Sequence, residues 1–464
     1  MSWKVDSLNR LFNPESIAII GASNQPNKLG SLTLRSLKDS NARKYPVNPR
    51  HSEIDGLKCY FSAADIGEDI DLAVIALGPL NVLPALKDCA EANAGGVIIF
   101  SAGFKELGPL GEEHQTQVKE IADAAHIAVI GPNCLGAGNP RTALNATFFP
   151  HPTPVQGGSV ALVSQSGGVA GLMLYEAADS GVGVSKFASI GNRVNIDFND
   201  MVRYLGQDDE TEVICLFVEG TEHARLMYDE MALVTKDKPI VMYKVGKTPI
   251  SRKAALSHTG SLAGRHELYS AAARQSGAIE ANTVTEMIDT AKILSICGTR
   301  PRGQNVAIVT HTLGPSLIAA QILEKAGLSL PPPSQETSST IQKMLAMQVE
   351  IAITNPIDLL AQGWANPEIF AGAFSLIMDD PKYDAVVIVF SPNYQEDIGG
   401  GVPIDSILEK TSTSEKAVMA ILNSPVCTPP IGKDRLERGR VPVFSNPERA
   451  AQALSNVLSL SRSP

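Results

Sequence analysis

Three stretches of the chain share one pattern. A polar residue is followed by a short apolar run, then by small polar residues and glycine, then by residues spaced as in a helix. They are SIAIIGASN from Ser16, SVALVSQSGG from Ser159 and NVAIVTHTLG from Asn305. A short, unbroken apolar run fits a strand buried on both faces, and the small residues after it fit a tight turn into a helix. The recurrence predicts three α/β domains, each opening on its central strand. Further apolar runs, DLAVIAL (Asp71 to Leu77), GGVIIF (Gly95 to Phe100) and IAVI (Ile127 to Ile130), alternate with helical spacing such as EEHQTQVKEIADAA, which is a βαβ rhythm. EVICLFVEG (from Glu212) and PIVMYKVG (from Pro239) continue it, as do DAVVIVFSP (from Asp384) and AVMAILN (from Ala417). Turn formers at Phe148 to Gly158 and Cys297 to Gln304 set the boundaries, giving domains 1–150, 151–300 and 301–464. LPPPSQETSS, Leu330 to Ser339, reads as a loop inside the third.

The length, 464 residues, exceeds what one core supports and agrees with several domains. A net charge of −10 speaks against a nucleic-acid binder that relies on bulk charge. The N-terminus, MSWKVDSLNRLFNP, lacks a signal-peptide core, and no apolar run is long enough to cross a membrane. Six scattered cysteines with no CxxC pair suggest neither a zinc site nor a disulfide framework, and a reduced cytoplasm fits best.

In open α/β sheets, ligands sit beyond the carboxyl ends of the strands. In GASNQPNKLG, Gly21 permits a tight turn and close backbone approach, Ala22 and Ser23 follow it, and a helix is expected to start near Gly30 with Lys28 close to a phosphate. This is not GxGxxG, and no acidic residue closes the second strand, where YPVNP stands, so a dinucleotide fingerprint is disfavoured. Asn48, in KYPVNPR, fits turn chemistry better than ligand contact. Ser166, Gly167 and Gly168 stand where a helix begins. They suit a phosphate cradle and, equally, a serine N-cap with glycines for close packing. Glu219, ending VEG, suits the orientation of a histidine or a solvated loop position. Asn133, in GPNCLG, can bind a ligand or lock its loop, and Cys134 beside it fits a packed thiol better than a nucleophile. His258 lies in ALSHTGSLAG among small residues that leave room for movement; His311, in THTLG, is its rival.

Together these residues resemble the NDP-forming acyl-CoA synthetases, relatives of succinyl-CoA synthetase. AIIGASNQPNKLG, YPVNPR, SAGFKELG, GPNCLG, LNATF, SQSGG, VEG and above all SHTGSLAG look like the family's signatures in order. The layout looks like the separate α subunit of the ADP-forming acetate–CoA ligase type. The resemblance implies a Rossmann-like CoA-binding domain followed by two flavodoxin-like, succinyl-CoA synthetase-like parallel-sheet domains. It implies that His258 is phosphorylated, Glu219 orients it, and Ser166, Gly167 and Gly168 bind phosphate. The loop Gly21, Ala22, Ser23, Lys28, Gly30 with Asn48 and Asn133 would hold CoA. Phe148 and the SIGNR turn, Ser189 to Arg193, would shape a pocket for a small carboxylic acid.

ATP/ADP with Mg²⁺ would belong to an ATP-grasp β subunit in an α2β2 assembly, because no such module is expected within three α/β domains. No metal site, nucleic acid or membrane partner is expected on this chain. THTLGPS departs from the more glycine-rich turn of relatives, which bears on the third domain's contacts. Two other functions are carried forward: a non-catalytic CoA-binding or sensing protein, and an NAD-dependent oxidoreductase.

Overall fold

The computed structural model describes residues 3–149, 155–251, 264–297, 303–345, 352–391, 401–423 and 432–459. The chain forms two compact units, Met1–Ile288 and Asp289–Pro464.

The first unit holds two large sheets. Strands β1 (Ser16–Ile20), β2 (Arg43–Val47), β5 (Leu72–Ile75), β6 (Gly96–Ile99) and β7 (Ala128–Ile130) build a parallel sheet in the order β2-β1-β5-β6-β7. A small hairpin, β3 (Glu53–Ile54) and β4 (Leu57–Lys58), follows β2. Every residue of β1, β5, β6 and β7 is buried, as unbroken apolar runs require. Pro46 is tolerated in β2 because that strand lies at the sheet edge.

The second sheet contains β8 (Gly136–Asn139), β9 (Leu144–Thr147), β10 (Gly157–Ser164), β11 (Val184–Ser189), β12 (Val213–Val218), β13 (Ile240–Lys244) and β14 (Ile279–Glu280), in the order β14-β13-β12-β10-β11-β8-β9. β10 to β14 are parallel, and the β8–β9 hairpin adds to β11 antiparallel. Residues 136–147, written above into the first domain, thus complete the sheet of the second and place the aromatic residues that follow them beside it.

The second unit has one parallel sheet, β16-β15-β17-β18-β19, from β15 (Val306–Thr310), β16 (Ile357–Asp358), β17 (Ala385–Phe390), β18 (Ala417–Leu422) and β19 (Val443–Phe444). Its core includes Val309, Phe370, Phe374, Ile388 and Phe390. The stretch expected as a loop at Leu330 to Ser339 is helical from Gln335, because Ser334 Oγ accepts the Thr337 N–H at 3.2 Å and so caps the helix Gln335–Leu345.

Counted along their parallel strands, all three sheets have one topology, with the first strand between the second and third. The opening strands β1, β10 and β15 are therefore interior, and only β10 is the middle strand, because the hairpin extends its sheet. The connections after the first and third strands run to opposite sides, which opens a crevice between their carboxyl ends.

Close packing holds the first crevice in shape. Gly21 has φ +89°, a conformation that favours glycine, and the helix Leu29–Ser36 packs directly on its turn. A Cβ on Gly30 would stand 2.2 Å from the Gly21 carbonyl oxygen and 2.8 Å from Ala22 Cα. Both are backbone atoms, so the helix itself must move. Gly30→Ala should destabilise the chain by about 1–3 kcal/mol, the usual cost of overpacking, read as a lower denaturation midpoint. An unchanged midpoint would show that the helix can slide off the turn without loss.

Candidate active site

The crevice of the second sheet lies between the ends of β10 and β12. Ser164 closes β10, and its hydroxyl donates to the Ser166 carbonyl at 2.7 Å while accepting the Ser166 N–H at 3.2 Å. Ser166 then caps the helix Gly167–Ser180, its Oγ accepting from Val169 N–H at 3.4 Å. The N-cap that the sequence allowed is therefore present. It does not exclude anion binding, since the first helical N–H groups have no intrahelical acceptor and stand at the positive end of the helix dipole. A Cβ on Gly168 would have nothing within 4 Å.

That open space belongs to a cavity of about 360 Å³. Gln165, Ser166, Gly167 and Gly168 line one side of it. Phe100, Phe148 and Phe149 line another, with Phe148 edge-on to Phe100 at 5.1 Å between ring centres and 5.8 Å from Phe149. Asn133, Cys134, Leu135, Gly191 and Asn192 complete it. The cavity thus pairs an anion-favouring helix start with an aromatic wall, a combination suited to a carboxylic acid or its phosphorylated form.

Glu219 follows β12 and is 8% exposed, which removes the solvated-loop alternative. Its N–H and that of Gly220 both donate to Gln165 Oε1 at 3.1 Å. Its carbonyl accepts from Lys244 Nζ at 2.8 Å, and Lys244 lies 4.9 Å from the Tyr269 ring centre. Tyr269 Oη in turn accepts the Thr221 N–H at 2.9 Å. Tyr269 belongs to the helix His266–Ser276, so the backbone around Glu219 is tied to that helix.

His258 and its neighbours fall outside the described residues. The rival, His311, is packed: its Nε2 accepts the Ser391 N–H at 3.3 Å and its ring stands edge-on to Phe390 at 5.2 Å. Burial holds its pKa below the ordinary value. Cys134 donates to the Ile99 carbonyl at 3.2 Å, and burial pushes its thiol up to about 12, so it is the packed thiol that was expected.

At the first crevice, Gly21, Ala22 and Ser23 form the turn, and Lys28 is exposed at the N-cap of the next helix, which begins at Leu29. Ser23 Oγ accepts the Gln25 N–H at 3.1 Å. Asn48 is committed to the turn: its Nδ2 donates to the Ala22 carbonyl at 2.8 Å and its Oδ1 accepts the Arg50 N–H at 3.0 Å. It shapes this loop from the far side. Asn133, at φ +59°, stands apart from the loop and lines the second crevice, with Nδ2 3.4 Å from Asn192 Oδ1.

Sequence reasoning missed two residues. Gln165 was quoted within SQSGG but assigned nothing, although it joins the two strand ends. Glu106, within SAGFKELG, accepts from Gly103 N–H and Asn192 Nδ2 at 2.6 Å each. Burial alone would raise its pKa, but these hydrogen bonds outweigh it and hold the carboxyl below the usual range. Glu106 thereby fixes Asn192, and with it one side of the cavity. Only its place at the carboxyl end of β6 could have signalled this.

Residues 15–140 match a CoA binding domain and residues 157–294 a succinyl-CoA ligase-like flavodoxin domain. The α subunit of ADP-forming acetate–CoA ligase II of Pyrococcus furiosus is 35% identical over 96% of each chain. The chain belongs to the NDP-forming acyl-CoA synthetases. It is also 38% identical to ADP-forming acetate–CoA ligase I of Archaeoglobus fulgidus, over 84% of this chain but only 56% of that longer one. The solved dinucleotide-forming acetyl-coenzyme A synthetase 1 of Candidatus Korarchaeum cryptofilum, in complex with phosphate and ADP, superposes with a TM-score of 0.86 at 30% identity, over 98% of this chain and 97% of that one. As a member of the acyl-CoA synthetases the chain is an acid–thiol ligase component, and its first domain is a CoA-binding domain. These matches do not favour an oxidoreductase or a non-catalytic sensor. Among the described residues, no helix is long and apolar enough to cross a membrane.

Substitution of Gly168 tests the helix start for anion binding apart from stability. Gly168→Ala meets no atom and should be neutral or stabilising by about 0.4–1 kcal/mol in a thermal melt. Its methyl group enters the cavity at the helix start, so phosphate affinity should fall about tenfold in calorimetry. Unchanged affinity would place the anion elsewhere.

Proposed function

We propose that this chain is the α subunit of a cytoplasmic, NDP-forming acyl-CoA synthetase that interconverts a carboxylic acid, ATP and CoA with acyl-CoA, ADP and phosphate. The observation that carries the reading is the single cavity in which the helix start at Ser166, Gly167 and Gly168 meets the aromatic wall, beside the strand end that presents Glu219. The family relationship over nearly the whole chain supports it.

In the direction of acyl-CoA cleavage, a phosphate oxygen attacks the thioester carbonyl. The carbon–sulfur bond breaks, CoA leaves as thiolate and takes up a proton, and an acyl phosphate forms. The helix N–H groups hold the phosphate and offset the charge that builds on it. A neutral nitrogen of His258 then attacks phosphorus, and the carboxylate leaves. Glu219 accepts a hydrogen bond from the opposite ring nitrogen and offsets the imidazolium charge. The phosphoryl group passes from His258 to ADP, with Mg²⁺, on an ATP-grasp β subunit in an α2β2 assembly. The name of the Pyrococcus furiosus relative, a subunit alpha matched end to end, supports the partner. CoA lies against the loop from Gly21 to Gly30, whose backbone a ligand can approach closely, with Lys28 exposed beside it. Asn48 holds that loop, and Asn133 faces the reacting end of the cofactor. Phe100, Phe148 and Phe149 pack against the acyl group.

Labelled ATP with Mg²⁺ and the β subunit should give an acid-labile, alkali-stable label on this chain. His258→Asn should abolish the label and leave the melting curve intact; a label that moves to His311 would refute the assignment. Glu219→Gln should slow phosphorylation about 10²- to 10⁴-fold with CoA affinity retained, as expected for an orienting or proton-handling group. Alone, the chain should bind CoA but form no thioester until the β subunit is added, and full turnover by the single purified chain would overturn the subunit reading.

A further inference from the structure

Gln165 is 3% exposed and lines the cavity. Its Oε1 is fully committed, since it accepts from the N–H groups of both Glu219 and Gly220. That commitment fixes which way the amide points. Its Nε2, which carries two hydrogens, has no hydrogen-bond partner among the described residues. A buried amide donor left unsatisfied is costly, on the order of 1–3 kcal/mol, and native proteins keep few of them. The helix start at Ser166, Gly167 and Gly168 lines the same cavity as this donor. That site calls for an acceptor with several lone pairs.

We infer that Gln165 Nε2 is a direct ligand of the phosphate, or of the phosphoryl group of the acyl phosphate, and adds a side-chain donor to the helix N–H groups. This rests on the function proposed above and assigns a further binding residue to the same reaction. The same amide then grips the anion with one end and the Glu219 backbone with the other. Phosphate in the cavity therefore binds the same group that sets where Glu219 stands.

The test is phosphate binding to the full chain by calorimetry at pH 8, with CoA binding measured in parallel. Gln165→Glu keeps an acceptor for the two N–H groups but replaces the donor with a carboxylate facing the anion. Gln165→Leu removes both functions. Both variants should bind phosphate more weakly, Leu by about 10- to 100-fold, the contribution of one hydrogen bond to a charged group. Glu should be weaker still because of repulsion, with CoA affinity unchanged in each. Where Gln165→Leu fails to fold, Gln165→Glu decides. Wild-type phosphate affinity in Gln165→Glu would overturn the role of Gln165 and leave the proposed function standing. Failure of the wild-type chain to bind phosphate would overturn both. Loss of CoA and phosphate binding together would mark Gln165 as a structural strut and overturn the inference.

Discussion

Two backbone N–H groups, those of Glu219 and Gly220, donate to one side-chain oxygen, Gln165 Oε1. The residues they join follow β10 and β12, the two strands whose connections diverge at the switch point. Divergence leaves a gap, and backbone at the gap loses its ladder partners. A side chain of glutamine's length spans it. The backbone of Glu219 is held by this clamp and by Lys244 from the next strand, whose ammonium donates to its carbonyl.

Around that clamp, the cavity is assembled from elements far apart in sequence. The β8–β9 hairpin extends the second sheet and delivers Phe148 and Phe149 to the helix Gly167–Ser180, where a Cβ on Gly171 would stand 3.2 Å from the Phe149 ring. The first sheet supplies Phe100 after β6 and Asn133 after β7. Asn192 is held by Glu106 at 2.6 Å and by Gln115 at 3.1 Å, both from the first domain. The helix start and the Phe148 and Phe149 wall thus stand on the second sheet, and Phe100 and Asn133 on the first, within a single compact unit.

The long strands were legible because burial on both faces forces an unbroken apolar run, and β1, β12, β17 and β18 are buried at every position. The hairpin was not. GAGN has no large apolar residue and LNAT is only four residues long, and their pairing depends on β11 being available beside them. Two-residue strands such as β14, β16 and β19 carry too few side chains to form a pattern. At the site, the glycines and Glu219 were legible because each is unusual at a strand end. Asn48 was legible as a turn residue, and its paired contacts agree. Gln165 was not, since a glutamine between two serines has no distinctive chemistry until its neighbours across the gap are known. Glu106 was hidden for the same reason.

The three sheets share a topology but use their switch points differently, and the residue just after the opening strand decides how. After β1 stands Gly21, whose positive φ and missing side chain let Leu77 and the Ala76 carbonyl close in on it and let the next helix pack on its turn. After β10 stands Gln165, which fills the gap with one hydrogen-bonding end and leaves the other facing a cavity. After β15 stands His311, which reaches across to the neighbouring strand end. Its Nε2 takes the Ser391 N–H from beyond β17, and its ring covers Phe390. A histidine that satisfies the neighbouring strand end in this way has spent the nitrogen a phosphoryl group would need. In THTLG that nitrogen is therefore already held by the protein itself.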